Sequence, residues 1–224
     1  MPNIVGLVVS YFYIFLFIGI ATAAMKFGKI STGLSRKIIH IGVSHWWLIA
    51  MYFFTSPFWA MIGPITFIIL NALSYKINIF EAMDAGGKKS NLGTVYFPIS
   101  LLVLVLLAWN GNIPLYAGAL GVLIMGWGDG LAAIVGSRGL KSPKINLFGI
   151  NKSLSGTLTM FAVSIIVAVV ILSVFNPALA VTSILLQAGV LSLFATLIEL
   201  FTPFGIDNLT VPILTAVFYQ AVFV

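Results

Sequence analysis

From Ile4 to Ala24 the chain runs for 21 residues without one charged side chain. That length matches the ~20 residues an α-helix needs to cross a hydrocarbon core of ~30 Å. Inside such a core every backbone N–H and C=O needs an internal partner, and a helix supplies them all within one segment. Seven further apolar runs follow: Ile38–Phe54, Phe58–Leu73, Val95–Trp109, Leu115–Val135, Leu158–Phe175, Leu179–Leu200 and Leu209–Phe223. The fourth and eighth runs, 15 residues each, are short for a span. Thr55-Ser56-Pro57, Asn110-Gly111-Asn112 and Asn176-Pro177 break the runs with residues that favour tight turns. Ala21-Thr22-Ala23 resembles a signal-peptidase site. Its run lacks a basic start and is too long for a signal peptide, so it reads as a retained span.

Composition agrees. Of 224 residues, 61% are hydrophobic and 7% charged, against ~25% charged in an average soluble domain. A soluble globule is excluded, and the apolar content excludes a disordered chain. Without cysteine there is neither a disulfide nor a thiolate metal site. The expectation is an all-α, polytopic helical bundle of about eight (seven or eight) transmembrane helices, forming one domain over residues 1–224.

The eleven basic residues occupy only three of the breaks. Lys26, Lys29, Arg36 and Lys37 lie between runs one and two. Lys76, Lys88 and Lys89 lie between three and four, and Arg138, Lys141, Lys144 and Lys152 between five and six. The positive-inside rule places these alternate loops in the cytoplasm and, for eight spans, both termini outside. The net charge of +6 is therefore a topology signal and does not point to nucleic acid. Lys26 and Lys29 read as anchors.

All five acids fall on the same face. Glu81 and Asp84 are in the second basic loop, and Glu199 and Asp207 bracket Pro203-Phe204-Gly205. Asp129, in Gly126-Trp127-Gly128-Asp129-Gly130, lies inside the cytoplasmic end of run five. An ionisable group within a span costs about 3 kcal/mol even on insertion scales, which makes it a functional candidate. The plain alternative is a structural partner for Arg138 or another base.

The third basic loop runs from Gly136 into Lys152-Ser153-Leu154-Ser155-Gly156. Ser153 or Ser155 is suited to cap the next helix, whose N–H groups and dipole end suit a phosphate. The Walker A spacing is absent, and a basic loop of this kind also suits anionic lipid head groups. Arg36 and His40 form an i, i+4 pair beside Lys37, a compact cationic patch. His45 is about 140° from His40 around a helix, so the two do not share a metal. It reads as an interfacial anchor beside Trp46 and Trp47 in an aromatic belt. Asn71 reads as polar glue between helices. Carboxylates to hold a divalent metal, bases to neutralise phosphates and an apolar interior to admit a lipid describe a cytoplasm-facing membrane enzyme using a phosphorylated small molecule.

Four segments go further: Arg36-Lys37-Ile38-Ile39-His40, Gly128-Asp129 through Gly136, Asn151-Lys152-Ser153-Leu154-Ser155-Gly156, and Glu199 followed by Gly205-Ile206-Asp207-Asn208-Leu209-Thr210-Val211-Pro212. In this order they resemble the dolichol kinase, phytol kinase and CTP-dependent diacylglycerol kinase family. Glu81 and Gly93 through Pro98 are similar to that family's second cytoplasmic loop. The resemblance implies phosphate transfer from CTP to the hydroxyl of a membrane lipid alcohol in the bilayer, releasing CDP, with a divalent cation, Mg2+ first. It implies a multi-pass protein of a prokaryotic cell membrane, without the extra spans of eukaryotic dolichol kinases. It assigns Asp129, Lys152 and Asp207 to catalysis. Asp129 and Asp207 would hold the metal, with Glu81 a weaker candidate, or Asp129 would orient the lipid hydroxyl as base. Arg36, Lys37, His40, Arg138, Ser153, Ser155, Gly156 and Asn208 would bind substrate and nucleotide. The alternatives are diacylglycerol as acceptor and a phosphatidate cytidylyltransferase, whose C-terminal signature is missing here. A small transporter is more distant, since its polar groups belong at the bilayer midplane.

Overall fold

A computed structural model of the chain describes residues 1–77, 92–137, 142–147 and 150–224. Each of the eight apolar runs folds as helix. In chain order these are α1 (Pro2–Lys26), α2 (Thr32–Ser44) with α3 (Trp46–Phe53), α4 (Pro57–Ile77) and α5 (Gly93–Trp109). Then come α6 (Leu115–Leu123), a π-helical turn (Ile124–Asp129) and α7 (Gly130–Ser137), followed by α8 (Leu154–Phe175), α9 (Val181–Phe201) and α10 (Asp207–Phe223). Among the described residues, five helical units are long and apolar enough to cross a membrane: α1, α4, α6 through α7, α8 and α9. The protein is a helical membrane protein. Helices α5 and α10 have 17 residues each, and the second run is interrupted at His45.

Two features depart most from the sequence reading. Helix α2 starts at Thr32, not Ile38, because the Ser31 hydroxyl accepts from the Leu34 N–H and caps it. Arg36 and Lys37 therefore sit on the helix that the i, i+4 pairing of Arg36 with His40 assumed. The polar stretch before α8 contains an antiparallel hairpin, β1 (Lys144–Leu147) and β2 (Ile150–Ser153), with Ile145 opposite Lys152.

The rod α6–π–α7 is the centre of the bundle. Helices α2, α8 and α10 pack on it, α9 lies along α8, and α4 along α5. Close approach needs small residues where lipid provides no drive between helices. A Cβ at Gly121 would lie 2.1 Å from the Pro212 carbonyl oxygen of α10, and one at Gly128 would lie 2.4 Å from Met160 Sδ of α8. Polar ties complete the packing. Tyr13 donates to the Gly42 carbonyl, Tyr11 and Thr66 share a 2.7 Å bond, and Asn71 donates to the Thr94 carbonyl at 2.6 Å. Asn71 thus joins α4 to α5, as expected of it.

The aromatic-belt reading is corrected. Trp46 and Trp47 are both buried in the core, where Trp47 Nε1 donates to the Leu115 carbonyl at 2.9 Å. His45 is held between the Ile41 carbonyl, 2.9 Å from Nδ1, and Trp127 Nε1, which donates to Nε2 at 3.1 Å. That pattern sets the proton on Nδ1. His45 closes α2 against the π turn and is no surface anchor.

Candidate active site

The π turn ends on Asp129. Such a turn fits one extra residue into the helical ladder and recurs at functional sites. Asp129 is buried, which is costly for an unpaired charge. Lys37, from the second turn of α2, supplies the partner, its Nζ donating to Asp129 Oδ2 at 2.6 Å. Among the described residues Lys37 is the base that answers Asp129; Arg138 and Glu81 lie outside them.

Lys152 anchors a second cluster from β2. Its ammonium donates to Glu199 Oε1 and to the Glu199 carbonyl, near the end of α9, and stands 3.7 Å from Asp207 Oδ2. Asp207 opens α10, where a negative charge meets the favourable end of the helix dipole. The chain reaches it through Phe204 and Gly205, whose φ angles of 57° and 79° are left-handed. Glycine takes that region without cost and phenylalanine does not.

The two clusters touch. One ligand oxygen from each of Asp129, Glu199 and Asp207 lies within 4.8 Å of the others. Three carboxylates face two ammonium groups, and like charges this close repel unless compensated. Three hard oxygen donors beside an uncompensated negative charge suit a divalent cation such as Mg2+.

Two clefts open from this cluster. The first, with about 1050 Å³ of open space, runs between α1, α2, α4 and α5. Its far walls are apolar, with Ile14, Ile18, Phe67 and Leu101. Its near end carries Arg36, Lys37, His40, Asp129, Asp207 and Asn208. The second, with about 870 Å³, is lined by Gly136, Ser137, Lys144, Lys152, Ser153 and Glu199 among others. Asp129 and Asp207 belong to both walls.

Of the residues expected at a site, Asp129, Lys152, Asp207 and Lys37 are brought together by these contacts. Arg36, His40 and Asn208 line the apolar cleft. Asn208 is set by local bonds, its Nδ2 donating to the Gly205 carbonyl at 3.1 Å and to Asp207 Oδ1 at 3.0 Å. Ser153 and Gly156 line the polar cleft; Ser155 lines neither. The free N–H cradle expected at the start of α8 is already filled. The N–H groups of Leu154, Ser155 and Gly156 donate to the Pro143 carbonyl, Ser142 Oγ and Ser153 Oγ. Ser153 is the N-cap, and the hairpin carries that start back onto its own backbone.

Glu199 is the residue that the assignment of roles left out. Its signal was present, a carboxylate within an apolar run, and its nearness to Lys152, 47 positions away, is tertiary. Lys144 is the other addition to the polar wall.

Helices enclosing an apolar cleft, a polar cleft and a carboxylate cluster between them define a helical membrane protein with a charged site inside its bundle. No family model matches the chain, and no solved structure matches it. It is 38% identical over 182 residues to a protein named phytol kinase from Synechocystis sp., covering 80% of this chain and 75% of that protein. The chain belongs to the polyprenol/phytol kinase family.

Proposed function

We propose that this protein is a lipid kinase that transfers a phosphate from CTP to the hydroxyl of an isoprenoid alcohol of the phytol class, releasing CDP. The observation that carries the proposal is the junction of the two clefts at Asp129 and Asp207. An amphipathic acceptor in the apolar cleft and a nucleotide in the polar one would meet at the carboxylates. The name of the Synechocystis relative supports the alcohol. CTP rests on the resemblance of Gly128-Asp129 and Lys152-Ser153-Leu154-Ser155-Gly156 to the CTP-using kinases.

Phosphoryl transfer is mainly positioning and charge neutralisation. Lys152, Lys144 and Ser153 would hold the nucleotide phosphates from the polar wall. Arg36 and Lys37 would meet the lipid's emerging end from the apolar wall. Asp129, Glu199 and Asp207 would hold a divalent cation, which would neutralise charge on the phosphoryl oxygens. The acceptor oxygen bonds the γ-phosphorus, the bond to CDP breaks, and the hydroxyl proton passes to a base on the apolar wall, where both Asp129 and His40 stand. The charge pattern of the loops supports a cytoplasm-facing site.

The test is labelled CTP or ATP with purified protein and a panel of phytol, geranylgeraniol, a polyprenol and diacylglycerol. Labelled phytyl phosphate plus CDP is the expected outcome. Pyrophosphate release would mean nucleotidyl transfer instead. Replacing Asp129 by Asn should lower turnover by about 10²–10⁴-fold; near wild-type turnover would remove Asp129 from its assigned role.

A further inference from the structure

The acceptor cleft has a polar end, and most of its polar groups there, Arg36 apart, are bonded within the protein. Lys37 and Asp129 bond each other, Asn71 bonds the Thr94 carbonyl, and Asn208 bonds Gly205 and Asp207. Two polar atoms of the wall are buried without a hydrogen-bond partner among the described residues, His40 Nε2 and Trp46 Nε1. A buried polar group left unmade costs about 1–3 kcal/mol, so each asks what completes it.

The two differ in place. Trp46 faces the apolar reach of the cleft, where a Cβ at Gly63 would lie 3.4 Å from its ring. His40 stands on α2 where that helix crosses the π turn. The His40 carbonyl is 3.6 Å from where a Cβ of Gly126 would lie, and the Lys37 carbonyl 3.9 Å from one at Gly130. The His40 ring rests on Phe97 of α5, ring centres 4.4 Å apart and planes at 57°. That contact backs the imidazole with an apolar face, on the cleft wall that also carries Asp129. A single hydroxyl at the head of a hydrocarbon chain matches this wall in both respects.

We infer that the acceptor's hydroxyl docks by donating its hydrogen bond to His40 Nε2, with the chain laid along Phe97 toward Phe67 and Ile18. This rests on the reading of the apolar cleft as the acceptor's. It leaves the oxygens of Asp129 to Lys37 and the cation, and makes His40 the residue that distinguishes an alcohol from an equally apolar molecule without a hydroxyl donor.

Binding without nucleotide tests it. Tritiated phytol is bound to the purified full chain in detergent and competed with phytol or with phytyl methyl ether. Wild type should prefer the alcohol by about tenfold, the usual worth of one buried hydrogen bond. In His40→Phe the preference should fall to about one, while the ether still binds within about twofold of wild type, which shows an intact cleft. His40→Gln, whose amide oxygen accepts a hydrogen bond, should recover part of the preference. A tenfold preference that survives in His40→Phe, or wild type without any preference, overturns the inference. Neither result touches the kinase reading, which is decided by the phosphorylated product.

Discussion

Helix α8 and the rod α6–π–α7 are nearly the same length, 22 and 23 residues, yet they live in opposite surroundings. The more apolar one, α8, has 28% of its most apolar stretch buried inside the protein, and the less apolar rod has 72%. In water the order would be reversed. In a bilayer the lipid tails are as apolar as leucine, so apolarity ranks a helix for the outside and small or polar residues for the inside. The rod holds Gly118, Gly121, Gly126, Gly128 and Gly130 together with Asp129. The outer face of α8 shows Leu158, Ile166 and Val170.

The contrast is sharpest where the rod carries charge. Converting the Lys37–Asp129 pair to Met and Asn together removes both charges, so no buried charge is left alone. Folding should then survive better than in either single variant, each of which strands a charge at a cost of about 3–5 kcal/mol. Turnover should still fall by about 10²-fold or more. Thermal unfolding beside a turnover assay separates the two, and a double variant less stable than both singles would break the scheme. Next comes packing. Gly121→Leu forces α10 away from the rod and should cost about 1–3 kcal/mol, seen as a lowered unfolding temperature in detergent. The smallest effect belongs to α8: Ile166→Leu, facing outward, should change stability by no more than about 0.5 kcal/mol. If Ile166→Leu hurt as much as Gly121→Leu, the inside–outside assignment of the two helices would be wrong.

Much of this architecture was legible in the chain. Apolar runs a bilayer's width long marked the helices, and Asp129, Glu199 and Asp207 stood out as acids at the ends of such runs. Ser153 announced itself as a cap. The Lys37–Asp129 pair did not, because its partners are 92 positions apart. Tryptophan within an apolar run reads equally as a belt or as core. Trp47 became core because the Leu115 carbonyl waits for its N–H, and no local pattern encodes that. Free N–H groups expected before α8 were consumed by Ser142 and Pro143, which only the hairpin brings near.

The sequence by itself determined that this protein is a bundle of membrane helices, since hydropathy and backbone satisfaction in lipid are local matters. Which helix became the centre, and that Asp129, Glu199 and Asp207 converge between an apolar and a polar cleft, only the tertiary structure decided. The reason is physical: in lipid, small-residue packing and the pairing of distant charges choose helix neighbours, and both depend on partners far along the chain.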